Sequence, residues 1–301
     1  MNLHGASKRS PVLLIHGGAG RRKNSEELWL RTREQLVTVA EEYWPKLLQG
    51  MPALETATEV TAALELLPDF NAGKGSIVQL DGLARLSASL MDGSREKFSG
   101  VNLVTHILQP SRLARALQDR RHTVLGPLGA QLLARELGIE PANPLTVERV
   151  ERLRQYLADQ QSVEEKGGTV GVVVLDTAGK LAAATSTGGD VNNPPERMSD
   201  SATVAGNFAS AFAAISCTGI GEQIVNDAVA ARLETRVRDG RSASEASEMM
   251  HREAEAKSHS YGWIALDAKA NWAVGNLCEE MAAVVMTGER ERPEVLALTR
   301  K

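Results

Sequence analysis

The segment EEKGGTVGVVVLD, residues 164–176, sets a charged run, two glycines and a threonine directly before an apolar strand. The strand is rich in valine, has no polar break and is closed by the turn TAGK. LAAATST, 181–187, follows that turn, so the two runs form an antiparallel hairpin. A threonine opening a strand is ordinary by itself, its hydroxyl facing water or capping a neighbour. Here, however, the glycines before it open backbone conformations closed to other residues. The polar segment ahead of them can leave once cut. Scission between Gly168 and Thr169 gives Thr169 a free α-amino group with an unperturbed pKa of about 8. A threonine paired with an N-terminal amine is an activated nucleophile. One residue then supplies both attacking oxygen and general base, with no need of a Ser-His-Asp set.

Working outward, the hairpin brings Thr185-Ser186-Thr187-Gly188-Gly189 beside Thr169. TVAGNFASAFAAIS gives two further short strands, and SCTGIGE, 216–222, ends the second of them with Thr218 and Gly219. A hydroxyl and a backbone N–H placed there suit an oxyanion hole. Arg197 and Asp200 lie between these stretches in a proline-containing loop. Such a pair reads either as a surface ion pair or as a complement to the carboxylate and ammonium of an α-amino acid.

Two amphipathic helices are predicted over roughly 221–237 and 243–257, and WIALD, NWAVGNL and AAVVM are the last three strands. Towards the N-terminus, PVLLIHGGAG, 11–20, reads as a buried strand entering a glycine turn. A helix follows from a capping box at Asn24 and Glu27 to a stop at Gly50, then a second between Pro52 and Pro68. FNAGKGS, 70–76, is a glycine loop, and 77–93 is read as a hairpin turning near Asp81-Gly82. Pro110 and Pro127 start helices and Gly138 ends one. Strands and helices come in blocks, which points to an α+β fold with antiparallel sheets and helices packed against them.

The chain has 301 residues, of which 43% are hydrophobic and only 4% aromatic, so Leu, Val and Ala must fill its core. A net charge of −4 gives no electrostatic footprint for nucleic acid. The basic run RLARALQDRR, 112–121, reads as a solvated helix face. Two cysteines make neither a disulfide framework nor a zinc site. MNLHGASKRS lacks the apolar stretch of a signal peptide, and no run approaches a membrane span, so a cytoplasmic protein is expected. IHGGAG lacks the lysine and hydroxyl of a phosphate loop. Close backbone packing near the active site is the better account, with His16 a structural hydrogen-bonding residue.

Taken in order, IHGGAG, FNAGKGS, ASLMDG, GGTVGVVVLD, AAATSTGG, Arg197-x-x-Asp200 and CTGIGE resemble the isoaspartyl peptidase / plant-type L-asparaginase family of N-terminal-nucleophile hydrolases. The likeness spans almost the whole chain. It implies one domain, a four-layer αββα sandwich, that cleaves itself between residues 168 and 169 into an α chain 1–168 and a β chain 169–301. Pairs of such units assemble as (αβ)2 homo-oligomers. The implied reaction is hydrolysis of L-asparagine and β-aspartyl dipeptides through a β-aspartyl ester. The resemblance assigns Thr169 as nucleophile, Thr187 as its neighbour, and Thr218 and Gly219 as oxyanion donors. Arg197 takes the substrate carboxylate, while Asp200 and the Gly221 carbonyl take the ammonium. Asn71 and Gly168 support the nucleophile. No cofactor is required, and a structural sodium ion on backbone carbonyls of about Leu64 to Ala72 is allowed.

Departures from the family pattern are Ile220 in CTGIGE, Ser87-Ala88 in the hairpin, SHSYGW at 258–263, NLCEEM at 276–281, and Glu196 and Ser199 where glycines are common. They leave the reacting residues intact and bear on the pocket wall, which Tyr261 or Trp263 is expected to narrow. They also motivate an alternative, an uncleaved homologue acting as a binding or scaffold protein. The glycosylasparaginase branch would carry Asp-Thr at the junction, where this chain has Gly-Thr.

Overall fold

A computed structural model describes residues 1–8, 11–20, 26–158 and 168–299. In chain order the elements are β1 (Asn2–Ala6), β2 (Val12–Gly20), α1 (Glu26–Leu48), α2 (Ala53–Glu65), β3 (Leu86–Asp92), β4 (Lys97–Val104), α3 (Pro110–Leu117), β5 (Val124–Leu125), α4 (Pro127–Glu136) and α5 (Val147–Ala158). After the junction come β6 (Val170–Leu175), β7 (Leu181–Thr187), β8 (Asn207–Ala209), β9 (Ala213–Gly219), α6 (Gly221–Asp227), α7 (Val229–Arg238), α8 (Ala243–Ala256), β10 (Tyr261–Asp267), β11 (Asn271–Asn276), β12 (Glu280–Thr287) and β13 (Glu294–Thr299).

The apolar run of β6 is continuous because the strand is covered on both faces. Val170, Val172 and Val174 pack with Leu36, Trp44 and Val60 of α1 and α2. Val173 and Leu175, pointing the other way, pack with Ile264, Leu266 and Val274 of a second sheet. β2 divides likewise, Leu13 and Ile15 towards the helices and Val12 and Leu14 towards the second sheet. The larger sheet has the order β13-β12-β2-β6-β7-β3-β4-β5, and the smaller β1-β11-β10-β9-β8. α7 and α8 cover the outer face of the smaller sheet. The layers are therefore helix, sheet, sheet, helix. Each fully buried Val or Leu in these layers contributes roughly 1.5–3 kcal/mol.

The hairpin 170–187 forms as expected, with Val170 opposite Ser186 and Leu175 opposite Leu181. The hairpin expected over 77–93 is different. Its paired strands are β3 and β4, joined through Gly93–Glu96, with Asp92 opposite Lys97. Asp81-Gly82 does turn, but within a strandless loop. Gln79 N donates there to Leu83 O at 2.9 Å, and Arg85 holds Asp81 at 2.7 Å. The helix read over 221–237 breaks at Ala228, which takes φ +48°. β1 and β13 are edge strands that sequence periodicity did not reveal. Pro110 and Pro127 open α3 and α4, and Gly138 follows α4 at φ +68°. The Asn24 cap lies outside the described residues. The basic run 112–121 is paired, Arg112 with Glu59 and Arg120 with Glu136. Among the described residues no helix is long and apolar enough to cross a membrane.

Candidate active site

Thr169 sits immediately before β6, in the middle of the larger sheet, where the register with β7 sets it against Thr187. Its Oγ1 donates to Thr187 Oγ1 at 3.3 Å, and both residues are buried. Thr187 Oγ1 also accepts from Gly189 N at 3.2 Å. The period of two that turns Thr185 and Thr187 between the sheets turns Ser186 towards the helices. There Ser186 donates to the buried Glu65 at 2.6 Å, and Thr185 meets Ser216 of β9 at 2.7 Å.

Glycines let backbone close around the junction. Gly18 has φ +106°, and a Cβ there would lie 2.9 Å from Gly168 Cα and 3.0 Å from Thr169 N. IHGGAG thus packs against the Gly168–Thr169 bond. A Cβ on Gly171 would lie 1.9 Å from Ser216 Oγ and 2.2 Å from His16 Nε2. His16 Nε2 is 3.0 Å from Ser216 Oγ. Burial pulls the imidazole down to about 3, against a hydrogen bond to the Thr169 backbone that raises it. The ring is neutral at physiological pH and braces the junction.

Asn71, from the glycine loop after α2, reaches the same place. Its Nδ2 donates to Gly168 O and Gly189 O, both at 2.8 Å, while its Oδ1 accepts from Ile77 N at 2.8 Å. The side chain has no freedom left, so its donors are fixed on the carbonyl of the junction.

An open cleft of about 80 Å³ runs past Thr169 and Thr187. Arg197, Ser199, Asp200, Gly219, Ile220, Gly221 and Glu222 line it, as do Ala19, Gly20, Ser260 and Cys278. Asp200 is 3% exposed; its Oδ1 accepts from Ser199 Oγ at 2.7 Å and its Oδ2 has no partner. Burial pushes this carboxyl up to about 6, against the Ser199 hydrogen bond and the charge of Arg197. Arg197 does not pair with Asp200. Its Nε and Nη2 hold Glu222 Oε1 at 2.8 and 2.6 Å. Gly221 fits where these groups converge, since a Cβ would lie 1.9 Å from Ser199 Oγ, 2.8 Å from Asp200 Oδ1 and 3.0 Å from Arg197 Nη2.

Gly219 lines the cleft at φ +128°. Thr218 is fully buried behind it, its Oγ1 accepting from Ala19 N at 3.0 Å. That bond leaves the hydroxyl proton of Thr218 as a donor. The cleft can therefore hold an amino-acid head group between an arginine and a carboxylate, with a threonine hydroxyl alongside.

Tyr261 and Trp263 do not narrow the cleft. Both are fully buried among Ile215, Cys217 and Met250. Tyr261 Oη donates to Asp227 at 2.7 Å and Trp263 Nε1 to Ser247 at 2.8 Å. Their i, i+2 spacing on one strand puts both rings on the helix side. From the two divergent segments, Ser260 and Cys278 reach the cleft instead. Glu222 and Asp190 are also lining residues that sequence reading missed. Glu222 sits inside the quoted CTGIGE motif, and an acid in the first turn of a helix close to a loop arginine was the available signal. Glu196 and Ser258, in the segments that depart from the family pattern, hold φ of +66° and +55°.

A family model described as asparaginase matches residues 9–296. The chain is 40% identical to an isoaspartyl peptidase/L-asparaginase of a Nostoc species, over 94% of each chain. It is 38% identical to the Synechocystis protein of the same name, over 93% of this chain and 88% of that one. It is 37% identical to the isoaspartyl peptidase of Escherichia coli, over 87% of this chain and 88% of that one. With helices enclosing two antiparallel-rich sheets and a threonine-lined cleft at the centre, this chain belongs to the asparaginase family.

Proposed function

We propose that this chain is a self-cleaving amidohydrolase that hydrolyses L-asparagine and β-aspartyl dipeptides with Thr169 as nucleophile. It is a hydrolase of the isoaspartyl peptidase/L-asparaginase type, as its relatives' names support. The observation that carries the reading is the convergence of three features on Thr169. These are its hydrogen bond to Thr187 at 3.3 Å, the Asn71 donor on Gly168 O at 2.8 Å, and the adjoining cleft lined by Arg197 and the buried carboxyl of Asp200.

In the self-cleavage step Thr169 Oγ1 attacks the Gly168 carbonyl carbon, and negative charge develops on the oxygen that Asn71 already holds. The C–N bond breaks as the hydroxyl proton passes to the departing nitrogen, leaving Gly168 esterified to Thr169 Oγ1 and the amine of Thr169 free. Water hydrolyses that ester and releases residues 1–168. In turnover the substrate carboxylate lies on Arg197 and its ammonium on Asp200 and the Gly221 carbonyl. The amine of Thr169 takes the proton of its own hydroxyl as Oγ1 attacks the side-chain amide. Thr218 Oγ1 and Gly219 N stabilise the oxyanion. Ammonia or an amino acid departs with the proton, and water then opens the β-aspartyl ester.

A structural sodium ion belongs to the same proposal, and the loop after α2 suits one. A Cβ on Gly73 would lie 2.1 Å from Glu65 O and 2.4 Å from Leu108 O; one on Gly75 would lie 2.1 Å from Phe70 O and 2.4 Å from Pro68 O. Carbonyls turned into side-chain-free space suit a hard cation. The ion would supply positive charge that braces the loop carrying Asn71. Among the described residues no His/Cys/Asp/Glu cluster offers a different metal site. Assembly of two cleaved units rests on the family likeness.

Ammonia release from asparagine and cleavage of β-Asp-Leu, run on wild type and Thr169→Ala, test the function. Wild type is expected to turn over both substrates and Thr169→Ala neither. A wild-type protein that binds aspartate but releases no product would instead support a binding or scaffold role.

A further inference from the structure

Ser260 and Cys278 stand where the divergent segments SHSYGW and NLCEEM meet the cleft. Their place relative to the reacting residues follows from the sheets. Ser260 directly precedes Tyr261, which lies opposite Gly219 across β10 and β9, and its carbonyl accepts from Ile220 N at 3.0 Å. Cys278 lies two residues before Glu280, which pairs with Gly20 on β2. The two side chains meet, Ser260 Oγ donating to Cys278 Sγ at 3.4 Å. Both line the cleft together with Ala19 and Gly20.

The wall is tied down on several sides. Ser260 N donates to Gln223 Oε1 at 2.7 Å. The buried carboxylate of Asp227 accepts from Lys257 at 2.5 Å, from His259 at 2.8 Å and from Tyr261 at 2.7 Å. These bonds fix the residues on both sides of Ser260. A glycine at position 260 would present no hydroxyl to the cleft.

We propose that Ser260 and Cys278 determine specificity for the leaving group: they form a short, rigid, polar wall that favours ammonia over a bulky apolar amino acid. This rests on the amidohydrolase reading above. A hydrophobic leaving group meets a hydroxyl and a thiol that must give up their mutual hydrogen bond to admit it.

The test compares kcat/KM for β-Asp-Leu with that for L-asparagine in fully processed wild type, Ser260→Gly and Cys278→Ala. Ser260→Gly removes only the side chain, so the backbone bonds to Gln223 and Ile220 persist. The ratio of the two constants is expected to rise about tenfold in each variant and to fall in Ser260→Leu. Constants that move in parallel, leaving the ratio unchanged, overturn the wall while leaving the amidohydrolase reading intact. No turnover of either substrate by wild type overturns that reading and the wall together.

Discussion

The side-chain amide of Asn71 donates to the carbonyl oxygen of Gly168 at 2.8 Å, and that oxygen belongs to the bond whose scission would free Thr169. The donor is pre-aligned because the same nitrogen also holds Gly189 O and the amide oxygen holds Ile77 N. Removing one fixed oxyanion donor costs on the order of 10²–10³ in rate. Asn71→Asp keeps an acceptor for Ile77 but loses both donors. We expect it to slow the appearance of the two fragments by about that factor, measured by timed denaturing gels. Processing at the wild-type rate would remove Asn71 from the step.

Asp200 gives a pH prediction. Burial holds its carboxyl near 6, above the ordinary aspartate value, so it is neutral below that pH and charged above it. Only the charged form attracts the substrate ammonium. The kcat/KM for asparagine should therefore fall as pH drops through about 6 and level off above it. Asp200→Asn should raise KM and abolish this limb. A profile unchanged by the substitution would assign the limb to another group.

Arg197 offers a planar fork that a lysine does not. Glu222 already occupies its Nε and Nη2, which fixes the plane of the guanidinium. In the proposed binding mode Arg197→Ala removes the charged partner of the substrate carboxylate, a loss of about 2 kcal/mol or more. Initial-rate kinetics should show KM rising some 30-fold or more. A KM within twofold of wild type would place the carboxylate elsewhere.

Glu65 is fully buried and accepts from Ser111 N and Oγ and from Ser186 Oγ, joining α2, α3 and β7. Desolvation lifts its carboxyl from 4.5 to about 7 despite those hydrogen bonds. A raised folded-state value means that its stabilising contribution is complete below the unfolded value and is lost as pH rises through about 7. The difference is on the order of 3 kcal/mol. In urea unfolding, wild type minus Glu65→Gln stability should decline between pH 5 and 8. A flat difference would show that Glu65 does not titrate there.

Glu196 is exposed and holds φ +66°. A left-handed backbone costs a non-glycine residue roughly 1–2 kcal/mol, and glycine gives back about half of that in unfolded-state entropy. Glu196→Gly should stabilise by about 0.5–1 kcal/mol and Glu196→Ala should not. Equal effects of the two would deny the strain.

Much of this architecture was legible because it is written in short-range patterns. The valine run of β6, its TAGK turn and the alternation of β7 define a hairpin whose register alone sets Thr169 against Thr187. β1 and β13 were hidden because edge strands are only partly buried and carry weak alternation. Asp81-Gly82 attracted the hairpin assignment since it has turn chemistry, yet Gly93–Glu96 joins the strands that find partners. The grip of Glu222 on Arg197 spans 25 residues and exists only once α6 is docked against the loop. Tyr261 and Trp263 suggested bulk in the cleft, but strand alternation sends both rings to the core and leaves Ser260 at the wall.

The most direct test is the intact mass of freshly purified wild type and Thr169→Ala under denaturing conditions. The account predicts that wild type separates into polypeptides of residues 1–168 and 169–301, and that the variant stays as one chain of 301 residues. A wild type that remains one chain while hydrolysing asparagine would contradict it.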